Sequence, residues 1–297
     1  MKKVRSLVRF AIKKGVFKYL GDKSYLKLLY WSYMGKKLHL KNPKRFTEKL
    51  QWLKLYDRKP YYTAMVDKYT AKEYAAAIIG SEYIIPTLGV WDSPDEIDFD
   101  QLPGKVVLKT THDSGTVKVI DQSKGFDRDA LIRYFKTRQQ RNLANLTKEW
   151  PYQGVKPRII AEQYIEGPET ETGEHELRDY KFFSFNGIVK CMKIDYDRFT
   201  CHHANYYGRN RERLPFGEKK FPSDETKVVE LPVHFDEMVH LAEKLAKDIP
   251  FIRVDFYEAN GKVYFGELTF FPASGLGPFE PDDWDYTLGS WLELPID

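Results

Sequence analysis

The 297-residue sequence contains no run of about 18 apolar residues, so no transmembrane helix is expected. Its first residues include no apolar segment of the signal-peptide kind, which argues against export. Cysteine is scarce. Cys191 and Cys201 are too few for a disulfide framework, and a reducing cytosol is the simplest compartment. There is no internal repeat, no low-complexity tract, and no GxSxG, HExxH or Walker sequence. Acid is scarce at one end only. Residues 1–60 carry 18 Lys or Arg against Asp22, Glu48 and Asp57, yet the whole chain is only +4, so everything after residue 60 is net acidic. A uniformly basic nucleic-acid binder would not be built this way, and no nucleic acid is expected as a partner.

What is present suits a globular protein with a sizeable core: 42% hydrophobic and 30% charged residues. Aromatics reach 15%, which fits strand-rich structure or a sugar-handling surface. Residues 2–20 read as a basic amphipathic helix. Phe46, Leu50 and Leu53 stand at helical spacing and predict a helix over 46–57 with Thr47 as its cap. A further helix is expected over 65–79, ended by Gly80, and others over 127–146 and 236–249. Strands are expected at 83–91 and 158–165, with hairpins over 104–120, 178–197 and 251–275. Asn186-Gly187 marks the turn of the second hairpin. Antiparallel hairpins dominate, so the fold class is α+β rather than a doubly wound parallel sheet.

Two hairpins carry candidate chemistry. In GKVVLKTTHDSGTVKVI (104–120) a buried-looking strand ends on Lys109 and runs into hydroxyls and a glycine. A hairpin needs only turn residues there, whereas a phosphate site needs N–H groups, hydroxyls and a cation together. In the last hairpin Arg253 and Asp255 share one strand face, as do Glu267 and Thr269 on the return strand. The loop length decides whether the two pairs meet. A two-residue Asn260-Gly261 turn would send Glu267 to the far side. A three-residue Ala259–Gly261 loop sets Arg253 opposite Glu267 and Asp255 opposite Phe265, and this register is the one expected. Two carboxylates and an arginine then converge, as Mg²⁺ held with substrate phosphates requires. An exposed Arg–Asp–Glu ladder on a sheet surface would show the same pattern.

The order of these pieces, a lysine before a Gly-containing hairpin, then RIIAEQYI, then RVDFY and GELTFFP, resembles the ATP-grasp superfamily. It is most similar to the TupA-like branch, associated with cell-surface polysaccharide synthesis, from about Asn42 to the C-terminus. The resemblance implies two α+β subdomains holding ATP between antiparallel sheets. The divisions it suggests are a basic helical extension at 1–60, a lead-in at 61–104, a nucleotide-flap subdomain at 105–165 and a metal and catalytic subdomain at 166–297. It implies that Lys109 holds the α-phosphate side of ATP and that Thr111, Ser114 and Gly115 belong to the loop over the phosphates. Glu162 would meet the adenine amino group, with Gln163, Tyr164 and Ile165 beside it and Glu169 toward the ribose. Lys181 would be a second phosphate-facing lysine. Arg253 would steady the transferred phosphoryl group, and Asp255 and Glu267 would ligate Mg²⁺. Thr269 stands where many such enzymes have Asn, so a hydroxyl replaces an amide in the ligand set. Lys68 and Lys72 resemble the start of the fold but read as a solvated helix face.

The activity implied is an ATP-dependent carboxylate–amine ligase working through an acyl phosphate. The acid would be a uronic acid of a surface or capsular polysaccharide, and the amine an amino acid or small amine. Trp284, Trp291 and the 202–207 stretch would suit a glycan. A sugar kinase or glycosyltransferase of the same pathway, or a nucleotide-binding module without turnover, are the rival readings. Cys201, His202 and His203 have no partner at metal-ligand spacing, and zinc is not expected. The enzyme would be cytoplasmic. Residues 1–20, with seven Lys or Arg and no acid, would either lie on an anionic membrane or pack on the protein's own body; the sequence leaves both open.

Overall fold

The computed structural model describes residues 1–141, 143–168, 177–198 and 200–295. Two N-terminal helices, α1 (Lys2–Lys13) and α2 (Asp22–Met34), form a satellite core around Ile12, Tyr25, Leu26, Leu29 and Tyr30. The first is shorter than its pattern suggested, because the chain turns at Gly15 with φ 74°. Arg5 and Arg9 donate to the Ser32 and Tyr33 carbonyls, so cations from one helix satisfy carbonyls at the C-terminal end of the other.

Helix α3 (Phe46–Tyr56) buries Phe46, Leu50 and Leu53 in the main core, as their spacing predicted. Its cap differs from the expectation. The Glu48 carboxylate accepts from the Lys44 and Arg45 N–H groups, while Thr47 is buried inside the helix and bonds Asp285 through both its N–H and its hydroxyl. The helix expected over 65–79 is two, α4 (Tyr62–Val66) and α5 (Thr70–Ile79). Asp67 breaks it by accepting the Tyr69 N–H and pairing with Arg158. Lys68 therefore sits at a corner rather than on a helix face.

Next come β1 (Thr87–Trp91), β2 (Lys105–Thr110), β3 (Val117–Asp121), α6 (Arg128–Gln139), α7 (Leu143–Thr147) and β4 (Ile159–Gln163). The single helix expected over 127–146 is thus interrupted. The four strands form a sheet in the order β1-β4-β2-β3, and Leu131 and Phe135 of α6 pack on Val106, Leu108, Ile159 and Ala161.

The remainder builds β5 (Asp179–Phe185), β6 (Ile188–Tyr196), β7 (His203–Gly208), β8 (Arg213–Leu214), β9 (Gly217–Glu218), α8 (Phe235–Leu245), β10 (Phe251–Ala259), β11 (Lys262–Thr269), β12 (Phe279–Glu280) and α9 (Asp283–Trp291). Six of these strands make the larger sheet, in the order β11-β10-β5-β6-β7-β8. Helix α8 closes one face with Phe235, Met238, Leu241 and Leu245. All strand pairs in both sheets are antiparallel, which bears out the α+β reading. Asn186 and Gly187 turn with φ 49° and 82°, the left-handed pair a two-residue hairpin needs. No helix among the described residues is long and apolar enough to cross a membrane.

Candidate active site

The last hairpin departs from the expected register and still brings its polar groups together. Ala259 pairs with Lys262, so the loop has two residues, Asn260 and Gly261, both with positive φ. That turn alone would throw Glu267 to the wrong face. Between Phe265 and Glu267 the register slips, with Gly266 as the extra residue, and Asp255 comes opposite Glu267 and Arg253 opposite Thr269. A β-bulge of this kind reverses the alternation of one strand. Gly266 suits it because a Cβ there would lie 2.9 Å from the Asp255 carbonyl oxygen and 3.1 Å from the Tyr257 ring.

The same face continues across the sheet. Glu267, Asp255, Lys181 and Lys193 are successive cross-strand partners on β11, β10, β5 and β6. Arg253 Nε and Nη2 donate to the two Asp255 oxygens at 2.6 Å each, and Nη2 also reaches Glu267 at 2.8 Å. Burial pushes the Asp255 carboxyl up to about 6, against the pull of Arg253 and Lys181. Burial also works against the Glu267 carboxylate, but Arg253 and Lys68 outweigh it and hold that group below its ordinary value. Glu267 is the accessible member, with its side chain 38% exposed against 3% for Asp255. Lys181 lies between Asp195 at 2.8 Å and Asp179 at 3.1 Å; burial would discharge it, but Asp179, Asp255 and Asp195 keep it cationic. Among the described residues no three His, Cys, Asp or Glu side chains gather at metal-holding spacing. The donor set is two carboxylates, one buried and one accessible. It fits a Mg²⁺ ion bound mainly through substrate phosphates, not an all-protein cage. The Thr269 hydroxyl donates to Glu267 at 3.1 Å.

A second cluster comes from the smaller sheet. Glu162 on β4 accepts from Lys109 on β2 at 2.5 Å and from Lys72 on α5 at 2.6 Å. Burial disfavours the charge on both Glu162 and Lys72; at Glu162 the two lysines prevail and lower its pKa, whereas at Lys72 burial prevails. In this structure the Glu162 carboxylate meets lysines, where the resemblance suggested the adenine amino group. Lys72 is buried, not solvated, and also donates to the Ile85 carbonyl at 2.7 Å. Lys68 donates to the Asp113 carbonyl and feels both Glu267 and Glu162, so it stands between the two clusters. The expectation of a solvated face fails for both lysines because the break at Asp67 turns them inward.

The flap after Lys109 is organised by Asp113, which accepts from the Thr110 and Thr116 hydroxyls. Thr111 is occupied by the Lys156 carbonyl and the Arg158 N–H. Ser114 and Gly115 (φ 79°) form its exposed tip. Gln163 is exposed, Tyr164 intermediate and Ile165 buried beside Ile85, while Glu169 lies outside the described residues. Between the flap and the last hairpin lies a cavity of about 270 Å³, lined among others by Lys68, His112, Glu149, Arg253, Glu267 and Ser274. Its far wall is strained: Ala273 and Ser274 adopt φ 48° and 56°. Buried Lys54 holds that turn, donating to the Ser274 and Thr147 carbonyls, and burial lowers its pKa to about 8. A more open hollow of about 420 Å³ beside Lys41–Lys44 contains none of these residues.

Sequence reasoning missed Lys54, Lys193 and Asp195. The last two were findable, since Lys193 and Asp195 alternate on the strand beside Lys181. The aromatic argument for a sugar surface finds no support: Trp284 stacks on Phe216, and Tyr206 and Tyr207 are core residues. His202 pairs with Asp195 at 2.9 Å, and His203 contacts the Cys201 carbonyl.

Comparison with known proteins adds to this. The model of the family described as TupA-like ATPgrasp matches residues 48–293. Similar solved structures include a D-alanine–D-alanine ligase from Bacillus anthracis complexed with ATP, at 16% identity and TM-score 0.40, covering 70% of this chain and 54% of that one. A D-alanine–D-alanine ligase from Helicobacter pylori aligns at 13% identity and TM-score 0.44, over 85% of this chain and 67% of that one. An L-amino acid ligase from Bacillus licheniformis aligns at 16% and 0.42, over 77% and 50%. This chain thus spans little more than half the length of the first of these and half that of the last. No curated protein matches.

Proposed function

The chain belongs to the TupA-like ATP-grasp family, and on that premise we propose that it is an ADP-forming carboxylate–amine ligase. The observation that supports this reading is the row Glu267, Asp255 and Lys181, with Arg253 bridging the two carboxylates at the edge of the 270 Å³ cavity. Asp255 and Glu267 would hold Mg²⁺, which supplies charge neutralisation to the phosphates when bound. Lys181 and Lys109, one from each sheet, would meet the phosphates from opposite sides, with Ser114 and Gly115 of the flap tip over them. Lys109 would exchange Glu162 for phosphate, leaving Lys72 to neutralise the glutamate.

In the first step a carboxylate oxygen of the acid attacks the γ-phosphorus, the bond to the bridging oxygen breaks, and ADP leaves. In the second, the amine nitrogen attacks the acyl carbon, gives up a proton, and phosphate departs with the carboxylate oxygen. Arg253 would supply the fixed cation that the transferred phosphoryl group and then the acyl oxyanion need. The acid would be a uronic acid of a surface polysaccharide and the acceptor an amino acid or small amine, as the resemblance of the sequence suggested, with the reaction on the cytoplasmic side where ATP is supplied. A second reading, nucleotide binding without turnover, rests on Thr269, which puts a hydroxyl where many such enzymes have an amide and donates it to Glu267.

The test is a screen of uronic acids against amino acids with MgATP. Release of ADP that requires both partners supports the ligase. A product phosphorylated on a hydroxyl, formed without amine, would make it a kinase, and a need for a nucleotide sugar would make it a transferase. ATP binding with no turnover under any pair would favour the binding module.

A further inference from the structure

The first twenty residues expose more large hydrophobic side chains than any other twenty consecutive positions among the described residues. Val4, Leu7, Phe10, Val16, Tyr19 and Leu20 are all exposed, from 39% for Leu20 to 89% for Tyr19; elsewhere among the described residues no twenty consecutive positions expose more than two large hydrophobics. The two readings of this helix divide by face. Val8 and Ile12 pack on α2, where Arg5 and Arg9 are also spent on its carbonyls. Val4, Leu7 and Phe10, at steps of three, turn away from that contact. Lys3 and Lys14 lie at i−4 from Leu7 and i+4 from Phe10, so each borders the apolar stripe.

Lys2, Lys3, Lys13, Lys14 and Lys18 are all exposed, and none is in an ion pair among the described residues. The first acid, Asp22, is already paired with Arg58 at 3.1 Å and Lys148 at 3.0 Å. Apolar side chains ringed by uncompensated lysines at the same surface are an unstable arrangement in water and a suitable one at a lipid interface. The side chains enter the acyl boundary, and the ammonium groups reach back to the headgroups. A second copy of this chain fits worse, because a two-fold contact would set lysines against lysines.

We propose that α1 and the turn after it form a docking surface for an anionic lipid bilayer, with the exposed face of α1 lying in its interface. The large sheet and its cavity then stay on the aqueous side, tethered through the α1–α2 contact. Nothing in this depends on the ligase reading, and binding is measured without turnover.

The experiment is co-sedimentation of the full chain with vesicles of phosphatidylcholine alone or with 30% phosphatidylglycerol, over a range of salt. Deleting the helix would be a poor test, since buried Ile12 and the Arg5 and Arg9 bonds belong to the satellite core. Leu7→Glu and, separately, Lys3→Glu with Lys14→Glu change only exposed side chains, and unchanged Tm confirms folding. The full chain should pellet with anionic vesicles only, less so at high salt. The double lysine variant should partition at least about 25-fold more weakly, about five-fold per lysine lost from an anionic surface. Leu7→Glu should weaken binding about tenfold or more. Binding that Leu7→Glu leaves intact, binding equal on neutral vesicles, or no binding with Leu7-dependent self-association in solution would each overturn the proposal.

Discussion

Replacing Gly266 by alanine tests whether the bulge positions the acidic pair. A Cβ at that residue would sit 2.9 Å from the Asp255 carbonyl oxygen and 3.1 Å from the Tyr257 ring, with backbone and an aromatic ring as neighbours rather than a flexible tip. One of them must move. Overpacking of this kind destabilises by about 1–3 kcal/mol, and the strand that moves carries Glu267. For a chain of this size the Tm should drop by roughly 2–5 °C. Catalysis should suffer more, since displacing a catalytic group by about 1 Å commonly lowers the rate 10²-fold. Gly261 is the control. It has φ 68° but nothing within 4 Å of its virtual Cβ, so Gly261→Ala should introduce only left-handed strain, of about 1–2 kcal/mol, and leave turnover per folded molecule unchanged. Thermal melts and ADP release on both variants decide it. A Gly266→Ala protein with normal Tm and normal turnover would refute the bulge as the positioning device.

The other predictions concern charge. Glu267→Gln should change stability by less than about 1 kcal/mol, because the side chain is 38% exposed, yet reduce MgATP turnover at least about 100-fold; ADP release alongside a melt reads both. Glu162→Gln leaves buried Lys72 and half-buried Lys109 without their counterion and should destabilise by about 3–5 kcal/mol. Because the folded pKa of Glu162 is depressed, its stabilisation is present above the ordinary value of 4.5 and is lost as pH falls through the lower folded value. Urea midpoints from pH 6 to 3 should fall less steeply for the variant than for the parent, and parallel curves would contradict the triad. Lys54→Met should loosen the 273–275 turn and remove the rise in stability expected between pH 8 and 10.5, where the unfolded lysine binds a proton that the folded one has released. A parent-like pH profile for that variant would show that Lys54 titrates normally.

The hairpins were legible because Asn-Gly turns and alternating faces are local properties. The meeting of Arg253, Asp255 and Glu267 was legible too, but through the wrong geometry. The turn has two residues, and Gly266 corrects the phase; an isolated glycine inside a strand is itself a bulge signal. Lys68 and Lys72 were unreadable as site residues. Their direction depends on Asp67 meeting Arg158, which lies on a distant loop. Glu162 and Lys109 could be placed on paired strands but not on one another, because the cross-strand register of β2 and β4 has no turn to set it.

The central claim is activation of a carboxylate by ATP, and oxygen transfer tests it most directly. With a uronic acid carrying ¹⁸O at both carboxyl oxygens, MgATP and the amine that supports ADP release, phosphate is collected and weighed by mass spectrometry. The account predicts one ¹⁸O in each phosphate released, carried over from the acid when the acyl phosphate is displaced. Phosphate free of label, with ADP still produced, would contradict it.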